Sequence, residues 1–584
     1  MTYALIAKGA QGIADRLLHD VDEVAARWSD LIQAFPNLAP EHRDEAIRLL
    51  TQAEPRINDD DARVVISGSL RNLLNHHRTV PDANWALPAA VLNAVEPVYH
   101  SLEPRDPIKK FSWLFSSHVR LPRPSAELRA GVPNGAAWRA NEAEAANQRR
   151  AAVKELLAAD GFEAVARMAS EAEAPGLIGA AVADLPQHSA ERHAILTRAL
   201  TAMDKHAANL AYGIIAVSFQ SSGELWASGL LAKAVAEKWG DEALYRILAA
   251  LPQSMWTWKQ CEALGKTIDD LYWKNVYFHV FNEEHELLFA IEKLLLAHRA
   301  THAIMLVARA ANQDVPRELL LRTLSQAANE PSTGAEDPSM FRHSVVAIFK
   351  KLDGAGCIPD DVMTGLEWGF LPLFRHSGRR PLALQRALSS TPKFFVDVLS
   401  AVYRPAKECG FEEPPPADPE RASAIATQAH ELLRDWRRVP GSSDAGVIDS
   451  AALEEWIKEA RILCAQVGRQ AVGDIHIGQM LAAAPPEPDG VWPAIPIREV
   501  IEITRSRELE RGVLIGVHNG RGPTWRDMTD GGAQERALAE HYRRCAGETA
   551  LEWPRTAALL ELIAKSYEQQ GERHDEDVER MEWQ

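Results

Sequence analysis

The sequence predicts an all-α protein, an irregular helical-repeat (α-solenoid) array with a small Gly/Pro-rich C-terminal subdomain. Three observations lead there. Apolar residues recur at helical spacing along most of the 584 residues. Alternating β-branched runs bounded by turn residues, the mark of strands, are nearly absent. Helical stretches of about 10–18 residues follow one another across short breaks, an arrangement in which neighbours bury each other's faces.

The start of the chain, MTYALIAKGAQGIADRLL, reads as an amphipathic helix without the apolar core of a signal peptide. A helical run through Leu17, Val21, Val24, Trp28, Leu31 and Ile32 is punctuated by Pro36 and Pro40. Residues 61–80 form a further helix through Val64, Val65, Leu70, Leu73 and Leu74, and another follows Pro88 to about Leu102. Glu103-Pro104-Arg105-Asp106-Pro107 stops one helix and starts the next. These elements make an N-terminal helical domain at 1–120, and the Pro- and Gly-rich stretch 121–135 reads as a linker.

A central α-solenoid is expected over 136–410, with breaks at Pro175-Gly176, Leu251-Pro252 and Asp314-Val315-Pro316. Its densest segment, Met255 to Ala311, reads as three helices with Trp256, Trp258, Tyr272, Trp273, Tyr277, Phe278 and Phe281 packed among them. Pro414-Pro415-Pro416 excludes helix and marks a second boundary. A C-terminal helical domain then spans 420–584, broken at Pro440-Gly441, with a Gly-rich loop at 512–532 that reads as a short hairpin. Two last helices, Gln534 to Cys545 and Pro554 to Gln570, precede an acidic tail expected to fray.

The formal net charge of −17 disfavours general nucleic-acid binding, because an acidic surface repels phosphates over its whole field. Two short basic runs, Arg375 to Arg380 and Arg434 to Arg438, read as solvated helix ends. Five cysteines show no C-x-x-C and no clustering, so neither a disulfide framework nor a structural zinc site is indicated. No apolar run is long enough to span a membrane. A cytoplasmic protein without cofactor is the simplest expectation.

Candidate sites are few. His298 and His302 stand at i, i+4, the spacing that places two imidazoles on one helix face for a metal, but Arg299 stands where H-E-x-x-H needs Glu. His298 also continues the apolar stripe of Leu287, Ile291 and Leu294, so a half-buried structural histidine is the favoured reading. Gly516 to Gly522 could form a backbone nest for an anion, with Gly520, Arg521 and Gly522 at its centre. The strand-to-helix context of a phosphate loop is missing, which favours a structural turn. No G-x-S-x-G elbow occurs. Carboxylate runs such as Asp59-Asp60-Asp61 fall at helix ends, where they offset the helix dipole. The sixteen tryptophans cluster at helix junctions and read as core wedges, with Trp138 and Trp583 the candidates for exposure.

Several junction motifs carry a resemblance. Leu70-Arg71-Asn72-Leu73-Leu74, His77-Arg78, Trp85-Ala86-Leu87-Pro88, Leu102 to Pro107, Trp113-Leu114-Phe115, Leu366-Glu367-Trp368, Pro392 to Val396, Tyr403-Arg404-Pro405 and Gly531 to Arg536 are the residues concerned. Together they resemble the C-terminal helical-repeat region of large bacterial STAND-type and sirtuin-type anti-phage defence proteins. Those proteins place an effector, and often a P-loop ATPase, before the helical region. This chain has no G-x-x-x-x-G-K-[ST], so neither activity carries over. What the resemblance implies is a non-enzymatic scaffold or sensor that binds a protein partner, a companion effector or a phage protein. The alternative is a nucleotide- or anion-binding enzyme subunit with its site in the Gly516–Arg536 region.

Overall fold

A computed structural model describes residues 21–126, 134–185, 189–202, 204–278, 283–310, 314–330, 338–354, 358–375, 377–410, 413–443, 445–522, 525 and 531–582. The N-terminal stretch to residue 20, Phe281, Cys357 and Trp583 lie outside them. The described residues form 26 α-helices and no strand, with one isolated bridge between Ser442 and Ile448. The chain divides into two compact units, Met1–Phe278 and His279–Gln584. That division falls inside the 136–410 segment. Within each unit, helices in substantial contact are separated along the chain by at most two others, which is the nearest-neighbour packing of a repeat array.

In the first unit the expected elements stand close to their sequence signals. Asp60–Thr79 is a helix capped by the Asp59 carboxylate, which accepts from the Ala62 amide at 3.0 Å. Asp60 in turn accepts from the Arg105 and Asp106 amides at 3.0 and 2.8 Å, so this acidic run serves helix ends. The buried face differs from the sequence reading. Val64 and Val65 are exposed, and Arg63 is buried in their place beside Ile66 and Leu70. Its guanidinium donates to the carbonyls of Ile57 (2.8 Å), Ser101 (2.8 Å), Glu103 and Glu54, and to the Glu54 carboxylate at 2.8 Å. Arginine has five N–H donors in a fixed fork, and here they gather carbonyls left unpaired at helix ends, a role that apolar periodicity does not signal.

Glycines set the tightest crossings. Pro175–Ala183 meets Lys205–Ala236 where a Cβ on Gly179 or Gly213 would collide with the opposing backbone. In the second unit Gln470–Leu481 meets Arg507–Gly520 in the same way, at Gly478, Gly512 and Gly516. The glycines from 512 to 520 are therefore helix, not hairpin. Their spacing of four lays them along one face, and the missing side chains let two backbones touch.

The block from Met255 holds four helices rather than three, Met255–Ala263, Lys266–Asn275, Glu284–Leu296 and Ala300–Arg309, and it spans the division between the units. Trp258, Tyr272, Trp273 and Phe278 are core, with Trp273 stacked on Phe278 at 5.3 Å between ring centres, whereas Tyr277 is exposed. The break after Asp435 runs to Asp449, wider than Pro440-Gly441 alone. The expected fraying tail is instead the end of a helix, Pro554–Glu582, whose Asp575 accepts from the Gly532 amide at 2.8 Å and pairs with Arg536.

Candidate functional site: an arginine-lined cleft

In the second unit the two basic runs meet. Helix Asp360–Phe374 ends at Phe374, and the chain turns through Gly378, at φ +76°, before helix Leu382–Ser390 begins. Helix Pro419–Asp435 brings the second run to the same place. Three hydrogen bonds hold it there. Gln385 Nε2 donates to the Asp435 carbonyl at 3.2 Å, Trp436 Nε1 donates to the Ser389 hydroxyl at 3.0 Å, and that hydroxyl donates to the Arg438 carbonyl at 2.6 Å. Trp436 is buried against Phe395 and Trp456 and anchors the segment.

The result is a cleft of about 400 Å3 lined by Arg375, Arg379, Arg380, Arg434 and Arg437, with Glu431 and Asp435 as its acidic residues. Arg379 is its floor. The side chain is 4% exposed and lies over the rings of Phe349 and Phe374, at 4.6 and 4.7 Å. Asp353 takes both Nε and Nη2 at 2.8 Å, and the fully buried Glu367 takes Nη2 at 2.7 Å. Glu367 also accepts from the Leu384 amide at 2.9 Å, so one carboxylate caps a helix and fixes the arginine. Burial raises the Glu367 carboxyl above the usual carboxylate value, against the lowering effects of Leu384 and Arg379. Arg379 Nη1 is buried without a hydrogen-bond acceptor.

The rim is more open. Arg375 faces Glu431 at 3.3 Å, and Arg434 pairs with its neighbour Asp435 at 3.1 Å. Arg437 donates to the carbonyls of Arg434 and Trp436. Burial holds its guanidinium below the ordinary arginine value; Asp435 opposes that, and the like charges of Arg380 and Arg434 add to it. These guanidiniums make the cleft locally basic in a protein of net charge −17.

The residues singled out by sequence are elsewhere and differently engaged. Gly516 lies within helix Arg507–Gly520, and Gly520 is its last residue. Arg521 pairs at 2.7 Å with the fully buried Glu535, and Gly522 follows at φ +69°. The donors at Gly532 and Arg536 hold Asp575, so the chain supplies its own carboxylate to this turn. Pro523, Thr524 and Arg526 to Asp530 lie outside the described residues.

His298 is exposed, not half-buried, at φ +55° in the turn that ends helix Glu284–Leu296, while His302 belongs to the next helix, Ala300–Arg309. The Arg299 amide bonds the Leu294 carbonyl and the His298 amide bonds that of Leu295, a left-handed helix end that takes the two imidazoles off a common face. Among the described residues no group of three His, Cys, Asp or Glu could hold a metal ion. Trp138 is exposed, as the sequence suggests.

The first unit holds a cavity of similar size, about 460 Å3, near Tyr99 and Trp113. The arginine and the lysine on it each have a carboxylate partner. Arg78 and Arg123 both grip the Glu96 carboxylate, with Arg123 at 2.5 and 2.7 Å, and hold it well below the usual range, at about 2. Lys110 faces Glu155 at 3.2 Å. In the second unit His476 is buried with Nε2 2.9 Å from the Tyr403 hydroxyl, and burial pulls its pKa down to about 4. Both groups are structural, distant in sequence from the basic runs.

Comparison with known proteins adds no identity: no family model, curated protein or solved structure matches this chain. Among the described residues no helix is long and apolar enough to cross a membrane.

Proposed function

We propose that this chain is a helical-repeat binding protein that holds a partner protein through an anionic group seated in the arginine-lined cleft. The observation that carries the reading is the convergence of two basic runs, more than fifty residues apart in sequence, on one cavity of an otherwise acidic chain. Trp436, Ser389 and Gln385 hold the runs together, so the site is built into the fold and does not depend on flexible side chains meeting by chance. In the role that the resemblance implies, a sensor or scaffold in anti-phage defence, the partner is a companion effector or a phage product carrying an acidic segment.

Fluorescence anisotropy with labelled acidic, neutral and basic peptides tests this directly. The acidic peptide is expected to bind, to weaken as salt is raised, and to be lost in Arg380→Glu. Equal binding of all three peptides, or acidic-peptide binding unchanged in Arg380→Glu, removes the cleft as the recognition site.

A further inference from the structure

The charges of the cleft can be matched one by one, and the remainder identifies the ligand. Arg375 has Glu431, Arg434 has Asp435, and Arg379 has Asp353 and Glu367. Arg380 and Arg437 line the cavity and face no carboxylate within ion-pair distance among the described residues, so theirs are the guanidiniums left to take a ligand. Arg379 lines the same cavity, held in place by Asp353 and Glu367.

We propose that the cleft binds the dianion of a phosphate monoester, held between Arg380 and Arg437. This rests on the cleft being the recognition site. A phosphate offers three terminal oxygens to several guanidiniums at once, whereas a carboxylate offers two. Guanidinium forks fit the paired oxygens of a phosphate and supply directed hydrogen bonds as well as charge. Leu371 and Leu432, on the cavity walls, suit the carbon side of an ester. An incoming dianion also relieves the repulsion that Arg380 and Arg434 exert on Arg437. A phosphorylated side chain of a protein partner and a free nucleoside monophosphate share this chemistry.

Isothermal titration of the full chain decides the matter with four probes: inorganic phosphate, a phosphoserine peptide, the same peptide with Glu in place of phosphoserine, and AMP. The phosphoserine peptide is expected to bind at least about tenfold tighter than the Glu peptide, with inorganic phosphate competing. A phosphopeptide tighter than AMP points to a protein source, and the reverse to a nucleotide, each supporting the phosphate reading. Equal affinity for phosphoserine and Glu peptides overturns it while leaving the acidic-partner reading in place. Failure of every anionic probe overturns both. Arg380→Gln and Arg437→Gln are each expected to lose about tenfold in phosphopeptide affinity with an unchanged urea midpoint. Arg379 also clamps the buried Glu367, so the rim residues carry the test, and full affinity in the Arg380→Gln/Arg437→Gln double variant overturns the proposal.

Discussion

The cavity beside Glu96 in the first unit and the arginine-lined cleft in the second enclose similar volumes, about 460 and 400 Å3, but their charges are handled in opposite ways. Around Glu96 two guanidiniums converge on one carboxylate, and Lys110 on the same cavity has Glu155. In the cleft the guanidiniums of Arg380 and Arg437 have no carboxylate of their own among the described residues. Burying a charge is expensive, so a fold normally completes the pairs it buries. A cavity whose arginines and lysines are all paired reads as structure. One that leaves guanidiniums over reads as a place for an anion, and the fold bears the cost of holding them together.

The largest effect expected from breaking this contrast is on stability. Arg379→Leu leaves Glu367 buried without its cation and should cost about 3–5 kcal/mol. Arg63→Leu in the first unit strands the helix-end carbonyls and should cost about 2–3 kcal/mol. Urea midpoints followed by hydrogen exchange in each unit separate the two, and an Arg379→Leu chain as stable as the parent would remove the clamp from the account.

Acid should sharpen the comparison next, because the units lose stability in different windows. His476 has a folded value of about 4 against an ordinary 6.5, so its contribution is complete above pH 6.5 and is lost as pH falls towards 4. Glu96 has a folded value of about 2 against 4.5, so its contribution is complete above pH 4.5 and is lost as pH falls towards 2. Each amounts to at most about 3 kcal/mol at full extent. Exchange measured against pH should therefore show the helix of His476 loosening at higher pH than the clamp around Glu96, and His476→Gln should flatten the upper window.

Charge reversal tests the assignment of the cleft itself. Arg380→Glu with Arg437→Glu should weaken binding of an anionic probe by about 100-fold, whereas Arg123→Glu in the first unit should leave it within about twofold. Equal losses from both would show that the overall field, and not the cleft, attracts the anion.

The smallest effects are at the glycines. Gly512→Ala should cost about 1–3 kcal/mol, because its Cβ meets the Ile475 carbonyl. Gly547→Ala, in an exposed helical position with open space around it, should gain about 0.5–1 kcal/mol. Thermal denaturation of the two variants reads the difference in sign.

Much of the fold was legible. Pro88, Pro107, Pro175 and Pro419 stand at or just before helix starts, as a residue without an N–H should. Asp59 caps its helix through its own side chain. The failures have a common cause. Val64 and Val65 looked like core, and the buried Arg63 went unmarked, because periodicity counts apolar residues and not the carbonyls that a buried arginine can satisfy. Gly512 and Gly516 looked like loop because local propensity disfavours glycine in a helix, while the reason for it there is a second helix about thirty residues away. His298 looked like part of a helix face, but a left-handed turn with a non-glycine residue leaves no local mark. The candidate site was the least legible part. Both basic runs were visible, yet each alone is an ordinary helix end.

What the sequence determined by itself was the all-α class, the short breaks and the chemistry of the two arginine runs, because helix periodicity and capping act within a few residues of the chain. Only the tertiary structure decided which charges would be matched. Matching depends on Asp353, Glu367, Trp436 and Ser389 arriving from separate helices, and the Coulomb and desolvation energies that make a pair or leave it open depend on distance in space, which the order of residues does not contain.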